Sequence, residues 1–83
     1  MARIIYPDRP AEDIEPANGK KFGLDEMQRI VGGYVEVVKL PERRRMIVDE
    51  EGLLKRYEMN ETASLLAGQM IVGTVLICGM YEF

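Results

Sequence analysis

The stretch IVGGYVEVVKL, residues 30–40, holds the feature that most limits how this chain can fold: an amphipathic run ends, two glycines follow, and a β-branched run begins at once. Leu24, Met27, Ile30 and Val31 recur at helical spacing and give one apolar stripe. Asp25 and Glu26 fall in the first turn, at the positive end of the helix dipole. Glu26 also stands where a carboxylate can reach back to the amide of the capping residue, Gly23. Gly32 or Gly33 then supplies the left-handed residue that stops the helix. A ligand-cradling turn is the other reading of the pair. Glycines that follow a helix, however, sit beside its free carbonyls, which repel anions, so the pair reads first as a joint between helix and strand.

The remaining segments arrange themselves around that joint. ARIIY (2–6) is a short strand closed by Pro7, and residues 7–23, with their prolines and charges, read as an irregular surface loop. YVEVVKL (34–40) and RMIVD (45–49) are strands joined by PERR (41–44), which predicts a hairpin. Val35 and Val37 share one face of the first strand; Tyr34, Glu36, Val38 and Leu40 share the other. DEEG (49–52) is a turn, and LLKRYEM (53–59) is expected as a short extended piece. Asn60 caps a second helix, NETASLLAG, that stops at Gly68. IVGTVLICGMYEF (71–83) is nearly continuous in apolar residues, as expected of a central strand or of an edge covered by a second subunit. The β-α-β-β-α-β order predicts an α+β fold: a mainly antiparallel sheet of three to five strands with two short helices packed on one side. Residues 1–83 form one domain.

Composition removes several functions. A chain of 83 residues buries only about 60–65% of the surface its unfolded form exposes, so self-association is a ready way to add buried area and a homo-oligomer is expected. A net charge of −3 argues against a nucleic-acid partner. The chain has no histidine, which excludes histidine-based acid–base and nucleophilic catalysis; with one cysteine it also lacks the donors of ordinary zinc or copper sites. Neither cofactor nor metal is expected. The paired carboxylates Asp25-Glu26 and Asp49-Glu50-Glu51 are adjacent, point different ways, and are accounted for by helix charge and turn solubility. An enzyme is therefore not expected. The single Cys78 lies in the most apolar segment and reads as a buried small hydrophobe; it permits no internal disulfide, which fits a reducing, cytoplasmic setting. No signal peptide is expected from MARIIYPDRP, and no apolar stretch reaches the roughly 20 residues of a membrane span.

Six residues remain as candidates for binding. Arg43, Arg44 and Arg45 stand together on an acidic protein and could hold phosphates by paired contacts; the plainer reading is a solvated hairpin end that discourages edge pairing. Asn60 and Thr62 open a helix whose amides are free to donate, although ordinary capping also explains them. Tyr34, just past the glycines, could stack on a base.

Four segments, GLDEMQRIVGGYVEVV, MIVDEEG, NETAS and IVGTVLIC, resemble in order and spacing a family of short bacteriophage and mobile-element proteins catalogued only as a domain of unknown function. The match spans residues 24–78; VGGYVE followed by DEEG is its most specific part. Asp49, where asparagine is frequent, and Ser64, where threonine is, depart from the pattern. The resemblance implies a phage or prophage origin and a compact α+β module, and supplies no reaction. By analogy with phage proteins that act by binding, the expectation is a non-catalytic, oligomeric sponge that sequesters a nucleotide-derived immune signal in the cytoplasm of an infected bacterium. Its rival is a protein–protein inhibitor that occupies a host enzyme through an acidic surface or an exposed sheet edge.

Overall fold

A computed structural model describes residues 2–83. Five strands, β1 (Ala2–Ile5), β2 (Glu12–Ile14), β3 (Val35–Leu40), β4 (Arg44–Asp49) and β5 (Val75–Gly79), make one antiparallel sheet in the order β2-β1-β5-β4-β3. Helices α1 (Leu24–Val31) and α2 (Glu61–Ala67) complete the α+β fold. No helix is long and apolar enough to cross a membrane among the described residues.

The inner strands decide where the helices go. On β4, Met46 and Val48 face one way and Ile47 the other; on β5, Val75 and Ile77 oppose Leu76 and Cys78, and all are buried. A sheet apolar on both faces needs two covers. Met27 and Val31 of α1 close over Ile47, Leu76, Cys78, Ile4 and Phe22, whereas Ala63 of α2 packs with Met46, Val48, Val75 and Ile77. The expectation of both helices on one side is thus corrected: they lie on opposite faces.

Both helices stop where their glycines predict. Gly32 takes φ +95° and its N–H donates to the Gln28 carbonyl at 2.8 Å; Gly68 does the same for α2 at φ +71°. The start of α1 differs from expectation. Gly23 offers no side chain, and the Glu26 carboxylate accepts from the Ala17 amide at 3.1 Å instead, tying down the preceding loop. Leu24 is exposed, so the apolar stripe begins at Met27.

Three connecting segments are corrected. Residues 7–23 are not wholly irregular, because Glu12–Ile14 pairs with Ala2–Ile4 as an edge strand, and buried Phe22 anchors the segment. Residues 53–56 turn rather than extend; only Met59 makes an isolated bridge, to Val72. The last strand is confined to Val75–Gly79, the centre of the sheet, where the chain's own β1 and β4 cover it.

Candidate functional site

The two glycines, the DEEG turn and the IVGT segment converge on one buried carboxylate. Asp49 ends β4 with its side chain 1% exposed. It accepts from Lys55 Nζ at 2.8 Å, from Tyr57 Oη at 2.9 Å and from the Glu51 amide at 2.9 Å. Burial pushes the Asp49 carboxyl up, but the hydrogen bonds from Lys55, the Glu51 amide and Tyr57 outweigh it and leave its pKa below the ordinary value. The hydrogen bond to Asp49 raises Lys55 correspondingly.

This network explains the glycines. A Cβ on Gly33 would overlap Lys55 Nζ and lie 2.9 Å from Asp49 Oδ2; one on Gly73 would lie 2.6 Å from the Tyr57 ring. Lys55 Nζ also donates to the Gly32 carbonyl at 3.1 Å. The end of α1, which by itself would repel an anion, is thereby partly neutralised.

Beside the network lies an open cleft of about 720 Å³, lined by Asp25, Gln28 and Arg29 of α1, by Gly32, Gly33 and Tyr34, and by Glu51 and Lys55 of the turn. Tyr34 is 67% exposed at its rim. Arg29 makes no ion pair among the described residues. The cleft therefore offers an aromatic face, an amide side chain, two carboxylates (Asp25 and Glu51) and two cations, of which Lys55 is already paired with Asp49, a set suited to holding a polar, planar molecule.

The six candidate residues do not form one site. Tyr34 belongs to this cleft. Arg44 and Thr62 line a second cleft, of about 490 Å³, on the α2 face. Arg43 sits in the hairpin turn at φ 61°, and Arg45 points to the α1 face while its guanidinium donates to the Arg44 carbonyl at 2.8 Å. Asn60 is 0% exposed and fully committed within the chain: its Nδ2 donates to the carbonyls of Ile5 and Gly73, and its Oδ1 accepts from the Ala63 amide. Sequence reasoning did not place Arg29, Gln28 or Lys55 at a site. Arg29 and Gln28 had a signal, since their positions on the helix place them off its apolar stripe and beside the glycines. Lys55 had none, because it meets Gly32 from 23 residues away.

The family model described as "Domain of unknown function (DUF3846)" matches residues 2–82. No curated protein and no solved structure matches the chain. The chain belongs to the DUF3846 family.

Proposed function

We propose that this member of the DUF3846 family is a non-catalytic binding protein that sequesters a nucleotide-type small molecule in the cleft beside Gly33 and Tyr34. The observation that carries the reading is the pairing of an exposed aromatic ring with an arginine that has no ion pair among the described residues, around about 720 Å³, a volume within the usual range for small-molecule sites. Tyr34 stacks on the base, Arg29 meets phosphate, and Gln28 and Glu51 answer the base edge or ribose hydroxyls. Two groups that could do chemistry are occupied or hidden. The Asp49 carboxylate is engaged three times over, and burial pushes the Cys78 thiol up to about 11. In the sponge reading the ligand is a signalling nucleotide of bacterial immunity.

Titration calorimetry against cyclic and ADP-ribose-type nucleotides tests this. Tyr34→Ala/Arg29→Ala should weaken binding at least about tenfold with a nearly unchanged melting temperature, because both side chains are exposed. Arg43→Ala/Arg45→Ala should bind as the wild type does. If no nucleotide binds, the reading is dropped for the second one.

That second reading, a protein–protein inhibitor, is favoured by one observation: Leu53 and Leu54 stand exposed side by side on the turn that follows Glu50 and Glu51. A complex seen by native mass spectrometry that Leu54→Asp abolishes would support it. Self-association, expected from the apolar last segment, now rests on α2 instead, where Leu65 and nearby Met70 are exposed while Val75–Cys78 are buried within the chain. Leu65→Glu should convert a light-scattering dimer to monomer; a wild-type monomer at all micromolar concentrations removes the proposal.

A further inference from the structure

The α2 face holds a second concave surface with its own chemistry. Ile5 of β1 and Ile77 of β5 form an apolar floor, and Leu66 of α2 forms one wall. Two arginines border the floor from opposite sides. Arg44 of β4 pairs with Gly79, Arg3 of β1 pairs with Ile77, and both project to the face that carries Ile77. They are not equivalent. Arg3 Nε is held by Asp13 of β2 at 3.1 Å. The Arg44 side chain has no hydrogen bond or ion pair among the described residues. Asp13 cancels one guanidinium, which leaves the cleft one uncompensated positive charge on a protein whose net charge is −3. Thr62 adds a hydroxyl at the same cleft.

A free guanidinium in bulk solvent calls for no ligand. Here it borders about 490 Å³ of concave space whose floor is two nearly buried isoleucines. A wholly polar ion would leave that floor wet, and a wholly apolar molecule would desolvate Arg44 without return. We propose that this cleft is a second binding site, independent of the nucleotide cleft, for a small amphipathic anion: one carboxylate or phosphate ester carried on an apolar body. The anionic head meets Arg44 and Thr62. The body covers Ile5, Ile77 and Leu66.

The two clefts lie on different sides of the sheet, so amide chemical shifts separate them. The full chain is titrated with phenyl phosphate and, separately, with benzoate; inorganic phosphate alone is the third arm. Saturating shifts are expected at Arg44, Thr62, Leu66 and Ile77 with at least one aryl probe, with a midpoint that Tyr34→Ala/Arg29→Ala leaves unchanged. Inorganic phosphate should bind at least about tenfold more weakly, having no body to cover the floor. The aryl probe that binds tells phosphate ester from carboxylate. Arg44→Gln should weaken the aryl probe about tenfold, with the fold confirmed by unchanged shifts across β1 and β2. Failure of both aryl probes to shift these amides at about 20 mM, well above a millimolar dissociation constant, overturns the proposal. So does equal affinity for inorganic phosphate, or an Arg44→Gln protein that binds as well as the wild type. None of these outcomes bears on nucleotide binding at Tyr34.

Discussion

Asp49 shows how one side chain can organise several others. Its carboxylate is buried and receives three donors, so Asp49→Asn keeps the shape but leaves an amide that must donate where Lys55 and Tyr57 also donate. The expected loss is about 2 kcal/mol at pH 7, read from urea unfolding. The pH dependence follows from the direction of the shift. The folded-state pKa of Asp49 is below the ordinary 3.8, so its contribution is complete above that value and is lost as pH falls through the lowered pKa. Lys55 has the opposite sign: raised above 10.5, it contributes fully below that value and loses its contribution as pH rises past the raised pKa. The gap between wild type and Asp49→Asn should therefore be constant from pH 5 to 8, about neutral, and shrink below about pH 3.8. A gap unchanged at pH 2.5, roughly a unit lower, would mean that charge is irrelevant there. Gly33→Ala should cost about 1–3 kcal/mol through the displaced Lys55–Asp49 contact, not through a left-handed backbone, since it is Gly32 that has positive φ.

At the scale of elements, the β3–β4 hairpin holds a correctable weakness. Glu42 and Arg43 both have positive φ, 64° and 61°, as the central residues of a type I′ turn do, yet neither favours that region. Glu42→Asn/Arg43→Gly should raise stability by about 1 kcal/mol in thermal melts. The helices were legible because their caps are local: Asn60, Gly32 and Gly68 act within a few residues of themselves. The β2 strand was not legible. Glu12-Asp13-Ile14 has no β-branched pattern and becomes a strand only because β1 offers its edge. The opposed helices were hidden in β4, whose Met46, Ile47 and Val48 read equally well as a half-buried strand. The sites were legible in part. Tyr34, Arg44 and Thr62 drew notice by type, but which cleft each joins depends on strand parity and on contacts far apart in sequence. Asn60 was misleading for a physical reason: a cap resembles a surface residue until its other donors are seen to hold Ile5 and Gly73.

For the whole molecule, the decisive element is β5. It lies at the middle of the sheet, with Leu76 fully buried on the α1 face. Leu76→Ala should lower stability by about 3 kcal/mol, a large share of what so small a domain has. Circular dichroism melts would report it, and a loss under about 1 kcal/mol would show a core that collapses around the gap. The placement of β5 also bears on synthesis. Ile5 pairs with Val75, and neither face of the sheet has its central strand until that pairing is made. A ribosome-bound chain ending before residue 75 can pair β1 with β2 and β3 with β4 but cannot join the two pairs into one sheet, leaving Ile4, Ile5, Met46, Ile47 and Val48 without Val75–Cys78 beside them. Nascent chains arrested short of β5 should therefore be held by chaperones and cut readily by proteases, and resistance should arrive in one step once Val75–Gly79 clears the exit tunnel.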